Sequence, residues 1–434
     1  MADRSLGTGA TWAALSSTTI GGSTTLVLAS MIAARGLPAL WLDLSGVLGL
    51  LALGLWLAPK IRATGAVTIA EVIGRFYGGS VRRIAAFLVI LAEIVWFSLL
   101  TQATQTVVSA VTPWSSTRVL ILTAALFVLY TMAGGQRAVV RTDLFQLGLM
   151  VVTLIGIATP LAVLSLRRTG LPKLNFPTGP GFTWLDVLSL LALVGLPHAV
   201  GSDVWSKLLS ARDETVARRA ALGAAASKLV FGLATATIAL AGIGAGFGGT
   251  ATLFPRTVFA LCGPALAPLL LVALIATMQS SSDSVLLSAA AATLNDLLPQ
   301  NREGPRRTAL RSLLVVTYGA LGLALALALH DVLETFRLGY TLFASGLILP
   351  TLAAFVPRLR IAPLFAGAAM LAGGAAAMLE RFLHPAGLDP VLVGLAVNAA
   401  VLTLGLFFRG NAASSLAGEA QRRADDAAAR RGVS

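Results

Sequence analysis

The feature that most limits what this chain can fold into is the recurrence of long apolar runs from one end to the other. Twelve such runs are read, roughly 8–34, 36–58, 81–111, 117–133, 143–166, 184–206, 216–247, 255–298, 306–330, 332–357, 361–380 and 389–408. Each is long enough to cross a ~30 Å hydrocarbon core as a helix. Lipid offers no partner to a backbone N–H or C=O, so runs of this kind become helices that pair those groups internally. Composition agrees: 56% of the residues are hydrophobic and only 12% charged, which leaves no room for a soluble domain of ordinary make-up. The expected fold class is an all-α polytopic membrane protein with about 12 transmembrane helices.

The net charge of +13 would suit nucleic acid, but the placement of the cations gives it another meaning. Most of the 32 Lys and Arg fall in alternate loops, among them Lys60, Arg62, Arg75, Arg82, Arg83, Lys207, Arg212, Arg306, Arg307 and Arg311. The opposite side holds only Arg35, Arg118, Arg167, Arg168, Lys173, Arg256, Arg337 and Arg381. The positive-inside rule puts the first set and both termini in the cytoplasm of a multi-pass plasma-membrane protein. The expected partners are the lipid bilayer and a small-molecule solute, with no nucleic acid. The single Cys262 excludes an internal disulfide. Three His without HExxH spacing, and no evident nucleophile–base pair, argue against an enzyme. The start, Met1 to Gly9, is polar and carries no cleavable signal pattern. Residues 409–434 read as a charged cytoplasmic tail, a solvated helix or a disordered end.

One stretch departs from plain hydropathy. Leu274 to Leu298 reads as a membrane helix, yet it carries Thr277, Ser280, Ser281, Ser282, Asp283, Ser284 and Ser288. Residues three and four apart share a helix face, so Thr277, Ser280, Ser281 and Ser284 form one oxygen-bearing stripe with Asp283 beside it. An intramembrane carboxylate costs about 2.5–3.5 kcal/mol on insertion scales, and such groups usually face a cavity, an ion or a partner. Hard oxygen ligands suit a hard cation such as sodium. The competing reading is that the hydroxyls bond back to the preceding turn or let helices pack closely. That reading would suffice for one Ser; the cluster with Asp283 favours an ion site.

Two helices are interrupted near their middles. The first contains Gly21-Gly22, and the sixth contains Gly195-Leu196-Pro197-His198 followed by Gly201-Ser202-Asp203. They are five helices apart. Broken segments at matching places in two halves point to a midplane binding site in an inverted-repeat transporter. Taken singly, each break favours close packing at Gly or an ordinary proline kink; the pairing shifts the reading toward a site.

These residues resemble the sodium:solute symporter family. Arg4-Ser5-Leu6-Gly7 is similar to the loop before that family's first core helix. Thr68-Ile69-Ala70-Glu71 with Arg75-Phe76 resembles its T-x-x-E…RF segment. Tyr130-Thr131, Gly134-Gly135, Ala138-Val139, Thr142-Asp143 and Gln146 match its YT-x-x-GG-x-x-AV-x-x-TD-x-x-Q signature. Asp203-Val204-Trp205, Ser210-Ala211-Arg212 and Ala217-Arg218-Arg219 resemble its segment after the sixth helix, and Ser280 to Asp296 its eighth-helix motif. The resemblance implies a LeuT-type core of 5+5 helices in inverted repeat, residues 1–357, with repeats at about 8–166 and 184–357. Two peripheral helices over 358–408 would follow. It implies alternating access driven by co-transported sodium. The implied sodium ligands are the carbonyls of Ser17, Ile20 and Thr277 and the hydroxyls of Ser280 and Ser281. A second sodium, held in some members, would meet Asp143 with Ser280, Asp283 and Ser284. The alternative for Asp143 is a helix N-cap.

For the solute, the candidates are Gly21, Thr24, Asp43, Trp96, Gln102, His198, Gly201 and Lys228. Lys228 lies about a dozen residues into the seventh helix, too deep to snorkel easily. In the family's sugar-carrying branch a lysine at this place touches substrate, and Asp43 falls near that branch's acidic contact. Gly201 and Thr24 depart from the branch, which has a side-chain donor and a glutamine there. Lys228 equally suits a substrate carboxylate, or a salt bridge to Glu93 or Asp43. Glu93, Trp96 and Gln102 fall along one polar edge of the third helix; Trp96 suits a gate or plain packing. Family members usually carry one further helix before the core; Met1 lies directly before the loop that would follow it, so either the chain is shortened by a late start or this protein does without that helix. The functional expectation is a sodium-coupled symporter importing a small polar solute. The alternatives are a proton-coupled or sodium-independent exchanger of the same fold, and a sensor that binds without transport.

Overall fold

The protein is described here from a computed structural model covering residues 5–170, 174–248, 251–298, 304–329, 331–385 and 388–408; side chains of 134–141 and 305 are not described. The expectations placed on Arg4, Lys173 and the 409–434 tail lie outside these residues, and those on the side chains of the Gly134–Val139 part of the signature fall on side chains not described. Eleven helices among the described residues are long and apolar enough to cross a membrane. The pair Thr8–Ile20 and Ser23–Arg35, bent by 46°, makes the twelfth. We number them α1 (that bent pair), α2 (Leu37–Ala63), α3 (Gly79–Ser109), α4 (Ser116–Ala133), α5 (Thr142–Thr169) and α6 (Trp184–Leu208). The second half comprises α7 (Glu214–Gly244), α8 (Leu253–Leu297), α9 (Arg306–Ala328), α10 (Val332–Ala354), α11 (Pro363–Leu383) and α12 (Pro390–Phe408). The expected helix count and class are therefore met.

Burial separates the helices into layers. The most apolar windows of α3 and α6 are 78% buried, against 28% in α9 and 22% in α12, so the first two form the core and the others face lipid. Leu404, Phe407 and Phe408 on α12 and Leu122, Leu126 and Leu129 on α4 stay exposed, as lipid-facing residues should. Small residues set the close approaches. On α7, Ala220, Ala221, Ala224 and Ala225 are buried, and Gly223 lies under the indole of Trp12 in α1. A Cβ added to Gly49 in α2 would stand 2.0 Å from the carbonyl oxygen of Gly195 in α6, so these two backbones touch with no side chain between them.

One span differs from the expectation. The α8 run is 45 residues long, about 68 Å at 1.5 Å per residue and over twice the hydrocarbon core. The chain resolves this at Gly263, whose φ of 67° ends one helix and begins another ahead of Pro264 and Pro268. The stretch from Leu253 to Cys262 is thus a separate helix, and the hydroxyl stripe lies wholly in the spanning part.

The T-x-x-E segment also acquires a physical role. Thr68 caps the short helix Ile69–Tyr77 by accepting from the Glu71 N–H at 3.0 Å, and Glu71 accepts from the Val67 N–H at 2.9 Å. The Thr68 hydroxyl also donates to Asp296 at 2.7 Å, where Arg82 makes a 2.7 Å ion pair. A cap, the start of α3 and the end of α8 are clasped together by one carboxylate.

Candidate functional site

The two breaks meet in the centre of the bundle. A small space between them is lined by Thr18, Gly21, Gly22 and Ser23 of α1, Asp203 of α6, Trp96 of α3, Ser281 of α8 and Tyr340 of α10. An adjoining space adds Pro197 and His198. The larger of the two holds only about 50 Å³, room for a water or two. Trp96 and Tyr340 close it from one side, with ring centroids 5.2 Å apart, and His198 stacks on Tyr340 at 6.3 Å. A separate vestibule of about 480 Å³ opens toward Thr68, Arg307 and Arg311 and reaches inward to Ser202, Lys207 and Ser284.

The hydroxyl stripe faces the bundle. Thr277, Ser280, Ser281, Asp283 and Ser284 are all buried, as are Ser17 and Ile20 across from them. A Cβ built on Gly21 would lie 3.2 Å from the Ser281 hydroxyl, which therefore sits directly on the α1 break. Ser281 donates to the Thr277 carbonyl at 3.1 Å, Ser284 to that of Ser280 at 3.0 Å, and Thr277 to that of Leu274 at 2.8 Å. So the hydroxyls do bond back to the preceding turn. That fixes their hydrogens and leaves oxygen lone pairs free to accept, so back-bonding and cation binding are compatible. Ser17 donates to Ala14 in the same way, at 3.2 Å.

Ser280 turns elsewhere. Its hydroxyl makes a short bond to Asp143, whose other oxygen is 3.1 Å from the Lys207 ammonium. Asp143 stands inside helical backbone that begins at Ser116, so it is not at a helix start, and its carboxylate reaches across to α8 and α6. Asp283 accepts from Thr131 at 2.5 Å, and its second oxygen is buried without a hydrogen-bond partner. Lys207, read from the sequence as a loop cation, is instead in the last turn of α6 and 3% exposed.

Of the solute candidates, three are engaged with one another. Lys228 makes a 2.8 Å ion pair with Asp43 and donates to Thr24 at 2.8 Å and to the Thr19 carbonyl at 3.0 Å. Thr24 donates to Asp43 at 3.0 Å. An ammonium has three N–H donors, and here each has an acceptor. Gly46 and Gly232 provide the space, since a Cβ on either would overlap Lys228 or Asp43. Of the readings open to Lys228, the structure has the salt bridge to Asp43, with Glu93 bound instead to Ser202 by a short hydrogen bond. Trp96, His198 and Gly21 line the central space. Gly201 forms the α6 break itself, with φ −55° and ψ 138°. Gln102 lies away from this space and donates to the Ala326 carbonyl at 3.3 Å. The sequence reading missed Tyr340, and it used Asp203 only as part of the α6 motif. An aromatic or acid on a helix does not announce which way it turns.

This arrangement is that of the LeuT fold: twelve spans with two broken helices facing each other. The comparisons agree on fold. A Na+-coupled sialic acid symporter, solved substrate-bound and outward-open, superposes with a TM-score of 0.77 at 16% identity, covering 93% of this chain and 90% of that one. Mhp1, a nucleobase-cation-symport-1 family transporter, gives 0.62 at 15% identity, covering 95% and 94%. MhsT in complex with L-phenylalanine gives 0.58 at 13% identity, covering 92% and 97%. Residues 1–168 match the model of the sodium:solute symporter family, the family that its motifs resemble. Among curated proteins it is similar to the high-affinity choline transporter 1 of Torpedo marmorata, 26% identical over 261 residues, 54% of this chain and 44% of that protein. The human counterpart is 25% identical over 314 residues, 66% of this chain and 53% of that protein. The chain thus spans about half the length of the curated relatives it matches.

Proposed function

We propose that this protein is a sodium-coupled symporter that carries a small organic cation by alternating access across the plasma membrane, with both termini inside. The observation that carries the sodium part is the Ser281 hydroxyl seated on the Gly21 break, one turn from Thr277. Sodium taken there, by Ser281 with the carbonyls of Ser17, Ile20 and Thr277, ties α1 to α8. The ion shifts the conformational balance only through its different affinity for the two states. Residues 1–357 act as the moving core and 358–408 as its peripheral support.

The solute class follows from what the central space offers. Asp203, an acid, lines it together with the aromatic rings of Trp96 and Tyr340. A carboxylate with aromatic faces is the chemistry that takes an organic ammonium. Lys228 has no donor to spare for a solute carboxylate, which counts against organic anions. The likeness to choline transporters supports the same direction. Because the closed space is so small, Trp96 and Tyr340 must part to admit a solute.

The test is uptake into proteoliposomes from a panel of organic cations, sugars and amino acids, with and without an inward sodium gradient. The expected outcome is sodium-dependent uptake of a cation. Ser281→Ala should raise the sodium needed for half-maximal rate by about five- to tenfold, the equivalent of one hydrogen-bond-sized contact. Uptake at full rate without sodium, with a pH optimum abolished in Lys228→Ala, would replace this reading with proton coupling. Binding without flux would make the protein a sensor.

A further inference from the structure

We propose that Lys207 is a built-in cation standing where a second sodium would otherwise bind, so that the protein takes up one sodium ion and not two. This rests on the sodium-coupled reading above and deepens it. The residues that would hold a second ion are all present and buried: Asp143, Ser280, Asp283 and Ser284. Their donor set is right for sodium, yet the Asp143 carboxylate is already neutralised. One of its oxygens accepts from Ser280 and the other lies 3.1 Å from the Lys207 ammonium. Lys207 is 3% exposed and Asp143 fully buried, so water does little to screen the pair. A sodium ion beside Asp143 would stand within one contact of another positive charge and would gain little from a carboxylate that has its partner.

The placement also serves such a role. Lys207 is in the last turn of α6, just beyond the break, and lines the vestibule on its other side. An ion entering from the vestibule therefore meets an ammonium before it meets Asp143. The ammonium is covalently part of α6, so it cannot leave with the solute. It ties α6 to α5 and, through Ser280, to α8. Asp283 stands close enough to feel both charges and keeps one buried oxygen without a hydrogen-bond partner, an acceptor in waiting.

Radioactive sodium binding to the purified full chain, counted at saturation, decides the matter. Wild type should bind one ion per chain. Lys207→Met and Lys207→Ala should each bind two, a doubling that Lys207→Arg does not show and that adding Asp143→Asn abolishes. An unchanged count of one in both neutral variants overturns the proposal and assigns the pair a purely structural role. Should neither variant fold, the wild-type count still decides: two ions overturn the proposal, and one supports it. No ion in wild type but one in Lys207→Met would sink the sodium site at α1 while supporting the role given to Lys207. No ion in either would sink both.

Discussion

The two broken helices open the same central space but satisfy their freed backbone in opposite ways. At the α1 break the Thr19 carbonyl is answered from another helix, by the Lys228 ammonium at 3.0 Å. At the α6 break the freed groups are answered locally. The Pro197 carbonyl accepts from the Gly201 N–H at 2.5 Å, and the Ala199 carbonyl accepts from the Trp205 indole at 2.9 Å. An unpaired backbone group costs several kcal/mol in lipid, so both solutions are needed. They differ in consequence. The α1 break is wired to α2 and α7 through the Lys228–Asp43 pair, whereas the α6 break is self-contained. Its side chains are therefore free to face outward, Ser202 to Glu93 and Asp203 to the central space.

The sharpest way to break this contrast is Lys228→Met. It leaves Asp43 buried without its cation and Thr19 without that donor, a class of change that costs about 3–5 kcal/mol. A large fall in the thermal midpoint of the purified protein is expected, and Lys228→Met with Asp43→Asn should recover part of it. Ser202→Ala comes next. It deprives buried Glu93 of its hydrogen-bond donor, at about 1–3 kcal/mol, and its effect on the midpoint should be clear but smaller. The least should come from Ser206→Ala, which removes only the hydroxyl that donates to the Asp203 carbonyl at 2.7 Å just past the α6 break, about 1 kcal/mol. If Ser206→Ala matched Lys228→Met, the α6 break would depend on its hydrogen bonds as heavily as α1 does, and the distinction would fall.

Much of this was legible in the residues. The spans followed from hydropathy, and the breaks from Gly21-Gly22 and from Pro197 with Gly201, because lipid leaves backbone so few alternatives. The hydroxyl stripe followed from helical periodicity, which fixes a face within its own helix. What periodicity cannot supply is the neighbour across from that face. Lys207 reads as a loop cation because it directly follows the apolar run ending at 206, and its pairing with Asp143 depends on how α5 and α6 pack. Tyr340 enters the central space only because α10 lies against α3. Gln102 shares a polar edge with Trp96 in sequence, yet it lies six residues further along, where α9 offers backbone carbonyls. The extra bend at Gly263 was hidden for a different reason: a left-handed glycine between apolar residues leaves no mark on hydropathy.

The contact between Gly49 and Gly195 has a mechanical consequence. Two main chains that touch directly have no compliant layer to take up sliding, so the outer part of α6 and the adjoining part of α2 must pivot as one piece. Asp43 rides on that piece, while its ammonium partner is anchored to α7. Any rocking of the pair against α7 is therefore registered as tension on a single ionic tether, and the separation of those two charges becomes a gauge of which way the machine is tilted.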